Sequence, residues 1–305
     1  MFLSVIIPAY NEVTNITRVI GELEQNIAQC TDITRYEIIV VDDHSSDGTF
    51  NAVTSINRNN IRGLRLSRRS GSHTALRAGI KKAEGGMVLC ISADGQDNPS
   101  VLSAMIAKIK AGDHTVWALR TSRNESYFSK LFSSVFYSIL NWFTDQKSEI
   151  NLANADFYLL DRRVVNAINS CEEKNTSLFG LIIWLGFRQS FVVYDRRERM
   201  SGRSKWNFKS RLRLAKDWII SFSGLPLKLI TYVGMIASAF GFLYAIFLFF
   251  YTILGYSKPG WAETVLISLI AGGIIMIMLG IIGEYLWRTF DETRKRPLYF
   301  IEEEN

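Results

Sequence analysis

The sequence predicts an α/β protein, a mostly parallel sheet over its N-terminal part followed by two membrane-crossing helices near its C-terminus. Three observations carry this reading. Short continuous apolar runs alternate with helix-length stretches over residues 1–120. Two segments without a charged residue, Leu229 to Leu254 and Thr264 to Gly283, are each long enough to cross a hydrocarbon core of ~30 Å at about 1.5 Å rise per residue. Ten Lys or Arg residues crowd the interval from Arg196 to Lys228, just before the first of these segments.

The runs "LSVIIPAY", "EIIVVDD", "MVLCISAD" and "HTVWALR" read as strands. Helices are expected from Asn15 to Gln29, Thr49 to Asn57, His73 to Ala83 and Ser100 to Lys110. Strands that are apolar at every position, not at alternate ones, are buried on both faces, and helices between them make the sheet parallel. Within "DGT", Gly48 reads as a turn residue and Thr49 as the start of a helix.

Three of the strands end in polar clusters: "VIIPAYNE" at Glu12, "IIVVDDHSSDGT" at Asp42 and Asp43, and "VLCISADGQD" at Asp94. In parallel sheets ligands bind beyond the carboxyl ends of the strands. Carboxylates brought together there repel unless a cation or hydrogen-bond donors lie between them. Asp94 and Gln96 offer oxygen donors without thiol or imidazole, a set suited to Mg²⁺ or Mn²⁺ and not to zinc. Mg²⁺ takes few protein ligands and completes its shell with water and substrate phosphates, so the expected substrate is phosphorylated. GxGxxG and GxxxxGK[ST] are both missing, which argues against dinucleotide and P-loop chemistry.

The rest of the composition narrows the class. An apolar content of 48% excludes a disordered chain. Cys30, Cys90 and Cys171 lack metal-ligand spacing and read as reduced thiols of a cytosol-facing domain. The opening "MFLSVIIPAYNE" predicts no signal peptide. The net charge of +6 is concentrated beside greasy sequence, so a membrane surface is the expected partner and nucleic acid is not. Basic residues flank both apolar segments (Arg288, Arg294, Lys295 and Arg296 follow the second), which predicts a hairpin with both flanks in the cytoplasm and Trp261 and Trp287 at the interface. In "NFKSRLRLAKDWIISF", Phe208, Leu212, Ala215, Ile219 and Phe222 share one helical face between Lys209, Arg213 and Lys216. This pattern suits a helix lying in the headgroup layer, or one packed on its own domain. The expected organisation is a domain at 1–205, an amphipathic juxtamembrane region at 206–228, a helix hairpin at 229–286 and a cytoplasmic tail at 287–305.

In this order, "VIIPAYNE", "VVDDHSSDGT", "SADGQDNP", "ADFYLLDRRVV", "ERMSGRSKWNF", "SFSGLPLKLITYVG" and "IIGEYLWRTFDETRKRPLYFI" resemble the inverting family-2 glycosyltransferases of GT-A fold. The branch they resemble most is the polyprenyl-phosphate hexosyltransferases, which includes dolichyl-phosphate mannose synthase-like enzymes and bactoprenol glucosyltransferases of O-antigen modification. The resemblance covers nearly the whole chain. It implies an integral membrane enzyme of the bacterial inner membrane that moves a hexose, with inversion, from a UDP-sugar to polyprenyl (undecaprenyl) phosphate. Pro8, Tyr10, Glu12, Asp42 and Asp94 would bind the donor, and Asp94 and Gln96 the metal on its diphosphate. Arg120, Lys130 and Ser134 would meet the lipid phosphate, with Arg199 closing over the site and Arg203 and Lys205 assisting. Asp156 reads as a base or orienting carboxylate, or as the cap of a helix begun near Asp161.

The chain departs from that family's pattern in three places. Ser92-Ala93-Asp94 stands where Asp-x-Asp is usual, Asp156-Phe157-Tyr158 where Asp-Phe-Arg is usual, and "SRRSGSHTALRAG" lacks the usual Asn and Lys. Two other readings therefore stay open: a catalytically weakened membrane scaffold of the same fold, and a dolichyl-phosphate mannose synthase-like enzyme using GDP-mannose. A processive polysaccharide synthase is disfavoured because QxxRW is missing. Small residues in "GMIASAFG" and "AGGIIMIMLG" permit close helix approach and a homo-oligomer.

Overall fold

A computed structural model describes residues 1–121, 155–174, 176–195, 225–254 and 260–305. The chain divides into two compact units, Met1–Leu212 together with Pro297–Asn305, and Arg213–Arg296.

The first unit is built on one sheet. Its strands are β1 (Phe2–Ala9), β2 (Arg35–Asp42), β3 (Ile61–Leu66), β4 (Met87–Cys90), β5 (Thr115–Arg120), β6 (Ala155–Asp161), β7 (Gln189–Tyr194) and β8 (Ile301–Glu304). They lie in the order β7-β5-β6-β4-β1-β2-β3-β8. β1 pairs in parallel with β2 and β4, β2 with β3, and β5 with β7. β6 runs antiparallel to both β4 and β5, and β8 antiparallel to β3.

The helices are α1 (Ile16–Gln29), α2 (Thr49–Thr54), α3 (Ser72–Lys82), α4 (Leu102–Lys110), α5 (Arg162–Ser170) and α6 (Leu178–Trp184). They cover both faces, and the strands show why each position is apolar. In β1, Leu3, Val5 and Ile7 pack with α1 and α4, while Ile6 points to the layer of α3, α5 and α6. The same alternation divides Ile38 and Val40 from Ile39 and Val41 in β2. Period-two geometry thus turns an unbroken apolar run into two cores. α1 meets the first of them with Ile16, Val19, Ile20, Leu23 and Ile27, spaced as one helical face. On the opposite side Gly79 lets α3 lie against the sheet, since a Cβ there would collide with Ile6.

Four strands go beyond the expected set, and each has a reason for being weak in sequence. β3, "IRGLRL", is interrupted by Arg62, Gly63 and Arg65; β8, "IEEE", is nearly all glutamate. β7 lies at a sheet edge with Phe191 and Val193 exposed. β6 opens just past the undescribed residues 122–154 and ends at Asp161, whose carboxylate caps α5 by accepting from the Val164 amide at 3.0 Å. That cap belongs to Asp161, and Asp156 lies within the strand. β4 is shorter than the run "MVLCISAD" suggests, because Asp97 accepts from the backbone N–H of Ser92 at 3.0 Å and turns the chain out of the ladder.

At the opposite edge of the sheet, near the N-terminal end of β2, Glu37 is a buried carboxylate with three donors. Ser4 Oγ lies at 2.5 Å, the Glu84 amide at 2.8 Å and Arg62 Nη2 at 2.6 Å. Burial alone would raise its pKa, but these hydrogen bonds and the guanidinium outweigh it and hold the carboxyl below its ordinary 4.5. A depressed folded-state pKa gives stability that is present above the ordinary value and lost as pH falls through the lowered one. Glu37→Gln is therefore expected to cost about 1–3 kcal/mol at pH 7. Thermal unfolding of both proteins from pH 7 to pH 3.5 should show the gap closing on the acid side; a gap independent of pH contradicts this.

The second unit contains α7 (Leu225–Ile253) and α8 (Trp261–Thr293). Both are long and apolar enough to cross a membrane, over Leu229–Tyr251 and Ile270–Thr293. Their large apolar side chains, Phe240, Phe249, Met276 and Leu286 among them, are exposed. Of the expected amphipathic juxtamembrane region, 206–228, residues 206–224 lie outside the described residues and 225–228 begin α7.

Candidate active site

β2, β1 and β4 lie side by side and run one way, so their C-terminal ends share one edge of the sheet. β5 runs in the same sense as β4, because both are antiparallel to β6. Its last residue, Arg120, and the first residues of β6, Ala155 and Asp156, come to that same edge. One rim therefore collects Tyr10 and Glu12, Asp42 and Asp43, Asp94 and Gln96, Arg120 and Asp156. Lys130, Ser134, Arg199, Arg203 and Lys205 lie outside the described residues, as does the side chain of Asp156.

The loops after β1 and β2 are braced into a single surface. The Asn11 amide donates to Ser45 Oγ at 2.9 Å, and Asn11 Oδ1 accepts from the Ser46 amide at 2.9 Å. The Glu12 amide donates to Thr49 Oγ1 at 2.9 Å, and that of Val13 to Asp47 Oδ2 at 3.1 Å. Thr49 does open α2, but the cap position is Gly48 at φ 87°, and the Thr49 hydroxyl serves the neighbouring loop. Asn11 and His44 hold positive φ, 53° and 59°. Residues of these types tolerate the left-handed region, and the cross-bonds keep Asn11 there.

Asp42 is almost fully buried and accepts from the Ser45 amide at 3.1 Å, with Arg65 Nη1 at 3.5 Å. Asp43 accepts from the amides of Ser70 at 2.6 Å and Gly71 at 2.8 Å, which ties the start of α3 to the rim. Burial raises its pKa above the ordinary carboxylate value despite those amides and Arg69, with Asp42 adding repulsion. Arg69 lies over the Tyr10 ring, 4.0 Å from its centre. His44 is turned aside, its Nδ1 3.1 Å from the Leu66 carbonyl oxygen.

The turn after β4 carries the densest polar network. Asp94 Oδ1 accepts from Ser92 Oγ at 2.8 Å and from the Gln96 amide at 3.1 Å. Ser92 Oγ also lies 2.5 Å from Asp97 Oδ2, and Tyr194 OH, at the end of β7, lies 3.2 Å from Asp97 Oδ1. A hydroxyl has one proton, so Ser92 donates to one of the two carboxylates at a time. Gly95 turns with φ 72°, and a side chain there would collide with the Arg18 guanidinium.

Asp97, which stands in sequence with Asp94 and Gln96 as one of three oxygen-bearing side chains suited to a cation, braces Ser92 and Tyr194 in the fold. Sequence reasoning missed Tyr194 and Arg69, since their roles depend on the tertiary fold. Tyr158, where the family pattern has a cation, is fully buried with its ring 5.1 Å from Trp117 and 5.4 Å from Phe179. Cys90 is paired with it in register, and burial pushes that thiol up to about 12.

Asp94 and Gln96 fit a hard divalent ion: their donors are oxygens, and the Asp94 carboxylate is held in place by two hydrogen bonds. Among the described residues no three His, Cys, Asp or Glu side chains form a cage of their own.

A solved structure of glucosyl-3-phosphoglycerate synthase from Mycobacterium tuberculosis, in complex with Mn²⁺, UDP-glucose and phosphoglyceric acid, superposes on this fold. The TM-score is 0.51 at 16% identity, over 72% of this chain and 78% of that one. At that identity the likeness is one of fold, of GT-A type. The sequence gives the finer assignment: residues 4–163 match the model of glycosyl transferase family 2, and the chain belongs to that family. A glycosyltransferase of Synechocystis is 40% identical over 303 residues, 98% of this chain and 94% of its own length. The bactoprenol glucosyl transferase of Shigella phage SfV is 31% identical over 310 residues, 100% of this chain and 99% of its own.

Proposed function

We propose that the protein transfers glucose from UDP-glucose to polyprenyl phosphate, with inversion, at the cytoplasmic face of a membrane. The observation that carries this reading is the strand order, which runs the strand ends next to Asp42, Asp94, Gln96, Arg120 and Asp156 to one edge of the sheet. The relatives named bactoprenol glucosyl transferase, similar over their full lengths, support the sugar and the lipid.

The acceptor is a phosphate monoester, already anionic, so it needs a position more than a base. One of its oxygens attacks C1 of the sugar from the face opposite the diphosphate. The C1–O bond breaks, its electron pair leaves with UDP, and the anomeric configuration inverts. A divalent ion held by Asp94 and Gln96 would offset charge growing on the departing diphosphate. Glu12 and Asp42 shape the loops that receive the nucleoside, and Tyr10 with Arg69 forms a stacked wall beside it. Arg120, with Lys130, Ser134 and Arg199, would attract the lipid phosphate against the donor's like charge. Asp156, at the start of β6, would orient the acceptor.

The membrane topology follows the same lines. The chain belongs to the first unit up to Leu212 and again from Pro297, and both apolar helices fall between these points. Two crossings return the chain to the side it left, so one hairpin satisfies this connectivity. The basic flanks favour the cytoplasmic side. The lipid product would serve a cell-surface glycan such as a modified O-antigen.

The test is transfer itself. Membranes containing the protein, given labelled UDP-glucose, polyprenyl phosphate and Mn²⁺, should yield a labelled lipid that partitions into organic solvent. Label recovered only with GDP-mannose would move the protein to the mannose branch, and no lipid from any UDP- or GDP-sugar would leave the scaffold reading standing.

A further inference from the structure

β8 follows α8 in the chain after residues 294–300 only, yet it completes the sheet beside β3, with Leu64 opposite Glu304 and Arg65 opposite Glu303. A strand reading "IEEE" has little β propensity of its own. Named contacts hold it. Gly63 and Asn305 exchange hydrogen bonds, the Asn305 amide donating to the Gly63 carbonyl at 3.2 Å and Asn305 Oδ1 accepting from the Gly63 amide at 2.5 Å. The Ser67 amide donates to the Phe300 carbonyl at 3.0 Å, and Lys82 Nζ lies 2.7 Å from Glu304 Oε2.

Glu302 reaches the rim loops through His44, whose Nδ1 lies 3.5 Å from Glu302 Oε2, and more extensively through Arg65. Arg65 Nε donates to Glu302 Oε2 at 3.2 Å, its Nη2 donates to the Ser45 carbonyl at 3.3 Å, and its Nη1 lies 3.5 Å from Asp42 Oδ2. One planar guanidinium thus joins the C-terminal strand to the last residue of β2 and to the middle of the loop that follows it. Ser45 in turn accepts from the Asn11 amide, so the same fork steadies the loop after β1. A fork with its donors in fixed directions transmits position well, and lysine in its place would not.

We propose that Glu302 is a positioning residue for the donor site, setting Asp42 and the Ser45 loop through Arg65. The segment that follows the second apolar helix is then part of the nucleotide cradle, and donor affinity depends on that segment being docked. The inference rests on the reading of Asp42 as a donor-site residue.

Steady-state kinetics of the full-length protein in lipid nanodiscs, with UDP-glucose as the varied substrate, tests it. Glu302→Ala should raise KM for UDP-glucose by about three- to fivefold, the range of a partly exposed ion pair, with kcat within about twofold of wild type. Glu302→Asp should recover most of the loss. Glu304→Ala removes a charge from the same strand without touching Arg65 and should keep the wild-type KM. Most of the Glu302→Ala effect should vanish in the Arg65→Ala background, what persists being the weaker 3.5 Å contact of Glu302 with His44. An unchanged KM in Glu302→Ala, or equal effects of Glu302→Ala and Glu304→Ala, overturns the inference while the donor reading stands. A wild-type protein that turns over no UDP-glucose overturns both.

Discussion

Asp94→Ala is expected to reduce transfer by at least about a hundredfold, the scale on which enzymes lose preorganised electrostatic stabilisation of a leaving group. The fold should survive, because the residue sits in a turn beyond β4 and not in either core. Bonds from Ser92 Oγ and the Gln96 amide are lost with it, but Ser92 Oγ keeps Asp97 at 2.5 Å and the Gln96 amide can turn to water or substrate. Asp94→Asn is the sharper comparison. It keeps size and one acceptor while removing the charge, so a nearly complete loss there assigns the effect to charge. Transfer at more than half the wild-type rate in either variant would remove Asp94 from the chemistry. Activity and thermal unfolding measured on the same preparations separate a lost site from a lost fold.

Asp97→Ala should behave differently, lowering stability and transfer together. Asp97 is buried and serves three donors: the Ser92 amide at 3.0 Å, Ser92 Oγ at 2.5 Å and Tyr194 OH at 3.2 Å. Its removal takes an acceptor from the Ser92 amide and from Tyr194 OH where water enters poorly, while Ser92 Oγ can still donate to Asp94. A loss of about 1–3 kcal/mol follows. The turn that carries Asp94 would then lose the bond that fixes its Ser92 amide, and transfer should fall by about tenfold, about 1.4 kcal/mol in the barrier. Tyr194→Phe deletes one donor only and should cost about 1 kcal/mol or less. A stable, fully active Asp97→Ala protein would mean that the network is ornamental to both fold and site.

The reach of the sequence differs between parts of the molecule for physical reasons. β1, β2 and β4 are buried on both faces, so their composition alone declares them, and with them the convergence of Glu12, Asp42 and Asp94. α1 declares itself through one apolar face from Ile16 to Ile27. β3 and β8 do not, because their stability comes from partners far away in sequence. Arg62 finds Glu37, Arg65 finds Glu302, and Gly63 finds Asn305. Local propensity carries no trace of such pairings. The missing acid at Ser92 is similar: composition registers only a lost charge, while the fold brings Asp97 within hydrogen-bonding distance of that hydroxyl. The role of Arg69 waited on the same information, since only the tertiary fold brings it over Tyr10.

The claim on which the rest depends is that the rim at the ends of β1, β2 and β4 holds a nucleoside diphosphate together with a divalent cation. Calorimetric titration of the full-length protein with UDP, with and without Mn²⁺, measures this directly. UDP should bind at least about tenfold more tightly with Mn²⁺ present, a coupling of about 1.4 kcal/mol, and Asp94→Ala should erase the difference. Equal UDP affinity with and without the ion in the wild-type protein, or a metal effect that persists in Asp94→Ala, would contradict it.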